Sequence, residues 1–354
     1  MSDNLAKTNG KTAFVAVVND EKDEKGNLVN PTPWHGLGKQ VEKAMTSAEA
    51  LKEGGLDYTV EKAPLYAKIK VGKSYKYKEM TQRDATYRTD NEDILGNVGK
   101  NYQVIQNVDA FSFFDAIVKD EKAAIFQTAG ALGKGERIFI TAKMPSYIRL
   151  KKDGKEDVIE KYLFLTNSHD RSSAIICDFT PIRIVCNNTL NMALGAKTPN
   201  RISIKHTNKA LDRLAEAHKV MGMVDTVTNQ LQGIFEQMVK TKISDQKLLE
   251  YIAMVMSPQT EMISESEFEN YYSQKTINLA KEEILPYALG NPTQQLATTK
   301  GTVFGAYNAI TGFYQNQKEW DSQEEKFDSL ILDDVGTARK KTVKAFQQAL
   351  TLLN

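Results

Sequence analysis

Apolar and polar positions alternate with a period of two along much of the chain from Asp57 to about Lys205, the pattern of half-buried β-strands. Tyr58-Val60, Leu65-Ala67-Ile69-Val71, Tyr75-Tyr77, Ile138-Ile140-Ala142 and Ile202-Ile204 carry it most clearly. Between two of these runs, Val71-Gly72-Lys73-Ser74 predicts a tight hairpin projecting from the sheet. Before this region, Thr46 or Ser47 caps a short helix through Ala48, Ala50 and Leu51 that Gly54-Gly55 stops. Inside it, Gln106-Asn107-Val108-Asp109 opens one helix whose Phe111, Phe114, Ile117 and Val118 share a face.

After Thr207 the period changes to that of helices. Leu211 to Val239 reads as one long amphipathic helix or a pair broken near Met223. Ser264-Glu265 opens another running to Pro286, Asn291-Pro292-Thr293 starts a third, and Thr337 to Leu353 forms the last. The expected class is α+β: a mostly antiparallel sheet region followed by a helical C-terminal region. The expected divisions are an irregular N-terminal arm over 1–40, an α+β core domain over 41–206 and a helical region over 207–354.

Composition narrows the function. Lys plus Arg number 46 against 45 Asp plus Glu, a net charge of +1, which excludes a globally basic nucleic-acid wrapper but not a local patch. The two cysteines, Cys177 and Cys186, form no metal clip or disulfide framework and suit a reducing, cytoplasmic setting. No stretch approaches the roughly 20 apolar residues needed to span a bilayer, so no membrane partner is expected. His35, His169, His206 and His218 lack ligand spacing, and Gly130-Ala131-Leu132-Gly133-Lys134-Gly135 matches no phosphate-loop spacing, so neither metal nor cofactor is indicated.

Two features carry candidate chemistry. The first is Asn167-Ser168-His169-Asp170-Arg171-Ser172-Ser173, a polar run between two apolar strands, with His169 as a candidate base oriented by Asp170 and Cys186 as a candidate thiol. The structural alternatives are a solvated turn and a small core cysteine. Downstream, Arg183 lies between Ile182 and Ile184, beside Asn187 and Asn188, where an arginine must meet an acid, a phosphate or solvent. The second feature interleaves cations with aromatics: Tyr66, Lys68 and Lys70 on one strand, Tyr75, Lys76 and Tyr77 on the next, with similar basic runs at Tyr147 to Lys152 and Arg201 to His206. Lysines for phosphates and tyrosine rings for bases are the equipment of single-stranded nucleic-acid binding, and lysine protection of strand edges is the structural alternative.

Several motifs together resemble one family. Trp34-His35-Gly36-Leu37-Gly38, Arg88-Thr89-Asp90 through Gln106-Asn107, Gly135-Glu136-Arg137, Asn167-Ser168-His169-Asp170 and Pro181 to Leu190 are similar to the phage/plasmid-like family carrying domain of unknown function 932. The resemblance implies a mobile-element protein without an agreed activity. Where that family usually has Gly after Ser-His-Asp, this chain has Arg171. The leading expectation is a single-stranded nucleic-acid binder acting in recombination or strand annealing, as a homo-oligomer, with Lys68, Lys70, Lys76, Arg171, Arg183 and Arg201 on phosphate. Alternatives are a hydrolase or nuclease-like enzyme using His169, Asp170 or Cys186, and a module that binds a host factor.

Overall fold

A computed structural model of the chain describes residues 14–16, 39–41, 46–112, 125–181, 201–214, 224–258, 263, 265–331 and 336–353. It is α+β, with sheets in the N-terminal and central parts and helices in the C-terminal part. Among the described residues ten strands form two sheets. The larger has the order β10-β9-β8-β7-β6-β1-β2 and the smaller the order β3-β4-β5. β6 (Ile125–Leu132), β7 (Arg137–Lys152), β8 (Lys155–Ser168), β9 (Ile175–Pro181) and β10 (Arg201–Ile204) supply five of the seven.

β1 (Phe14–Ala16) and β2 (Lys39–Val41) complete that sheet, β1 antiparallel to β6 and parallel to β2. The N-terminal arm is therefore not irregular throughout. Its short apolar run at Phe14 is enough to add strand pairing at the edge, which its polar surroundings conceal. The middle of the sheet departs from simple alternation as well. Ile138 to Ala142 and Tyr162 to Leu165 are buried at every position, so both faces of β7 and β8 are covered.

The short helix α1 (Ser47–Glu53) forms as its sequence predicts. The Thr46 hydroxyl accepts from the Glu49 backbone N–H, Glu49 returns the bond to the Thr46 N–H, and Gly54 ends the helix. At 107–112 a second helix begins. Asp109 at its third position accepts from the Gln106 N–H, while Asn107 turns inward and donates to the Leu56 carbonyl.

Two compact units divide the chain. The first comprises Met1–Pro145, Tyr162–Asp178 and Arg201–Gly222, and the second Ser146–Lys161, Phe179–Asn200 and Met223–Asn354. In this division the outer halves of β7 and β8 belong with the helices. The second unit is centred on Phe235 of α2 (Val224–Lys240), whose ring meets Phe304, Tyr307 and Phe346 at 5.3, 6.5 and 6.4 Å. Its helix across Pro286 does not stop there. A π-helical segment at Leu279–Ile284 precedes the proline, and the helix continues to Gly290. The wider turn accommodates the ring and its missing N–H. Asn291 opens only a short turn, and the next helix, Val303–Gly312, starts from the Thr302 cap.

Candidate functional site

The small sheet of the first unit consists of β3 (Val60–Val71), β4 (Ser74–Arg88) and β5 (Ile94–Gly99). β5 pairs only with Arg83 to Tyr87, so the outer parts of β3 and β4 continue as a two-stranded ribbon. The register jumps at its root: Pro64 faces Asp84 but Tyr66 faces Glu79, leaving Met80 to Arg83 against Leu65. Such a bulge bends and twists the pair out of the sheet. At the tip, Val71 faces Ser74 across a two-residue turn in which Gly72 has φ +62°, the conformation that a tight hairpin demands at its first central position.

Register then decides what each face carries. Tyr66 faces Glu79, Lys68 faces Tyr77 and Lys70 faces Tyr75, so three tyrosines and two lysines share one face. The tyrosines are 53%, 69% and 57% exposed at 66, 77 and 75, and the Lys68 ammonium lies 4.5 Å from the Tyr75 ring centre. Ala67 faces Lys78 and Ile69 faces Lys76, placing Lys76 on the opposite face from Tyr75 and Tyr77, with which it alternates. Strand residues one apart point to opposite sides, which separates Lys76 from Tyr75 and Tyr77. Between Leu65 and Thr81 the ribbon holds five lysines and one glutamate.

The root is braced by charge. Asp84 is buried, its carboxylate 2.6 Å from the Lys100 ammonium and 3.6 Å from that of Lys62, which also donates to the Lys100 carbonyl. The Lys100 hydrogen bond, with both cations adding, holds the Asp84 carboxyl below its usual range.

The other basic runs differ. Arg149 and Lys151 both meet Glu156, and Lys152 donates to the Val239 carbonyl at the end of α2 at 3.2 Å, so these cations act within the second unit. Arg201 pairs through its backbone with Asp178 on the edge strand β10. Trp34, His35, Arg183, Cys186, Asn187 and Asn188 lie outside the described residues.

The polar run at 167–173 occupies a different place from the one its composition suggests. His169 is fully buried, and its Nε2 lies 2.9 Å from Asn107 Oδ1. Asn107 Nδ2 donates to the Leu56 carbonyl, so its oxygen is the atom facing the ring and Nε2 must carry the proton. Asp170 does not orient the histidine. Its Oδ1 accepts from the backbone and hydroxyl of Ser172, as an aspartate in a turn does. Arg171 is exposed and adopts φ +72°.

Around His169 the separate motifs converge. The His169 N–H donates to the Glu136 carbonyl, Thr86 donates to the His169 carbonyl, Tyr102 donates to that of Ser168, and Asn167 donates to that of Ile105. Tyr58 donates to the Gly135 carbonyl while the Arg88 guanidinium stacks on its ring at 3.9 Å and grips Asp90 with two bonds. Gly96 admits Asp170, since a Cβ there would lie 2.5 Å from the Asp170 Cα. Burial, helped by His206 and Arg88, pushes the His169 pKa down to about 3. Burial likewise lowers His206 to about 4, against the opposing effect of the Gln103 carbonyl and Asp170. Both rings are neutral at ordinary pH. His206 stacks on Tyr102 at 4.5 Å.

These elements define an α+β chain with a buried, uncharged histidine centre and an exposed cationic ribbon in one unit. The family described as Domain of unknown function (DUF932) matches residues 94–350, and the chain belongs to it. The matched segment contains Asn107, Glu136, Asn167, His169 and His206, whereas Tyr58, Arg88 and the ribbon precede it. Neither curated proteins nor solved structures give a match. Among the described residues no helix is long and apolar enough to cross a membrane, and no group of three or more His, Cys, Asp or Glu is placed to hold a metal ion.

Proposed function

We propose that the protein binds single-stranded nucleic acid through the β3–β4 ribbon, without reading its sequence. The observation that carries this is the joint exposure of Tyr66, Tyr75 and Tyr77 on the same face as Lys68 and Lys70. Tyrosine rings offer stacking platforms to any base, and ammonium groups neutralise phosphates. Arg, Asn and Gln, which read guanine and adenine by paired hydrogen bonds, do not occur from Leu65 to Thr81.

The test is a labelled oligonucleotide titrated against the full chain at several salt concentrations. Three lysine–phosphate contacts, from Lys68, Lys70 and Lys73 at the turn, give a slope of log affinity on log salt of roughly −2, about a twentyfold loss between 50 and 200 mM. Replacing Tyr75 and Tyr77 together by Ala removes two stacking platforms, each worth about 1–3 kcal/mol. Absence of binding at low salt, or unchanged affinity in the double variant, overturns the reading.

A further inference from the structure

The ribbon has a second exposed face, and its chemistry differs from the first. Ala67, Ile69 and Val71 stand opposite Lys78, Lys76 and Ser74, with no aromatic ring among them. Ile69, Val71 and the neighbouring Met80 are 42%, 47% and 39% exposed. Lys76 and Lys78 meet no carboxylate among the described residues, and they lie two strand residues apart, about 7 Å. That separation is comparable to the distance between neighbouring phosphates along one strand.

We infer that this face takes the duplex side of a junction between single-stranded and double-stranded nucleic acid, the ribbon acting as a wedge. The inference rests on the single-strand reading of the tyrosine face. Without rings, the second face cannot stack unpaired bases. Its lysines suit the backbone of a duplex, and its aliphatic side chains suit the apolar surface of the last base pair, which an open junction exposes. Aliphatic wedges against base steps are an established use of such side chains in proteins that deform duplexes. Gly72 leaves the tip narrow enough to lie between diverging strands. A free single strand engages one face, and a junction engages both.

Three probes decide it: an unpaired oligonucleotide, the same strand with one half made duplex, and the full duplex, each titrated against the full chain. The half-duplex probe should bind about tenfold tighter than the unpaired strand, with a salt slope steeper by about 1.8 for two added phosphate contacts on duplex. K76Q/K78Q should abolish that advantage and the extra slope while leaving the unpaired strand's affinity within about threefold. I69S/V71S, checked for an unchanged melting temperature, should reduce the advantage and leave the slope. Equal affinity for half-duplex and unpaired probes overturns the inference and leaves the single-strand reading standing. Equal weakening of both probes by K76Q/K78Q does the same. Failure of every probe to bind overturns both. Self-association in sedimentation that I69S/V71S abolishes, without a junction preference, assigns the face to a second copy of the chain and also overturns it.

Discussion

Arg171→Gly should stabilise the protein. Arg171 follows the buried His169-Asp170 pair in a left-handed conformation, φ +72°, where its Cβ crowds the backbone. The turn cannot relax. On one side Asp170 is held by two bonds from Ser172 and packed against Gly96, and on the other the His169 backbone is fixed by Glu136 and Thr86. A non-glycine residue in this conformation costs about 1–2 kcal/mol. Glycine would remove that term but loses roughly 0.4–1 kcal/mol more backbone freedom on folding. The net gain is about 0.5–1 kcal/mol, which for a chain of this size raises the melting temperature by about 2 °C. Scanning calorimetry of the wild type, Arg171→Gly and Arg171→Ala separates backbone from side chain. Arg171→Ala removes the charge and keeps the strained φ, so it should not share the gain. An unchanged or lower melting temperature for Arg171→Gly, or an equal rise for Arg171→Ala, refutes the argument.

Two further predictions concern the buried centre. Gly96→Ala sets a Cβ 2.5 Å from the Asp170 backbone, a clash that only main-chain movement relieves, and should destabilise by about 1–3 kcal/mol in thermal or denaturant melting; an unaltered midpoint refutes it. Acid should destabilise the first unit. His169 has a folded pKa of about 3 against 6.5 when unfolded, so between these values the unfolded chain binds the extra proton, and stability is lost as pH falls below 6.5. At pH 5, 1.5 units below 6.5, the loss from His169 is about 2 kcal/mol. Comparing His169→Asn with wild type isolates it, since the variant should lose correspondingly less between pH 7 and 5; identical pH profiles refute the assignment.

Period-two alternation made the strands, the hairpin tip at Gly72 and the tyrosine–lysine face legible, because register and side follow directly from spacing in an extended chain. It could not show that the outer ribbon is bare on both sides, since that depends on where β5 stops. Lys76 alternates with Tyr75 and Tyr77 in the sequence, and the register accordingly sets it on the other face of the ribbon. The histidine centre was legible only as separate motifs. Asp170 is adjacent to His169 in sequence and points elsewhere, whereas Asn107, 62 residues away, supplies the bond. Arg88 and Tyr102 carry no local pattern that announces burial, and only closure of the sheets brings them together with Tyr58. The signal that was present, the sharing of Arg88-Thr89-Asp90, Gln106-Asn107, Gly135-Glu136 and Asn167 to Asp170 among motifs of one resemblance, marked the members without giving their contacts. Arg171 kept the turn that a glycine normally makes.

A two-stranded ribbon that buries neither face has no core of its own, and such hairpins are marginal in water. Here the strands are tethered where Asp84 meets Lys62 and Lys100, so pairing is strongest at the root and weakest at Gly72. Amide hydrogens along β3 and β4 should accordingly exchange in a gradient, fastest at the tip, with opening free energies that fall toward zero far from the brace. A polymer laid along the ribbon would register the strands as it binds, and its measured affinity is then the contact energy less the work of holding that hairpin closed.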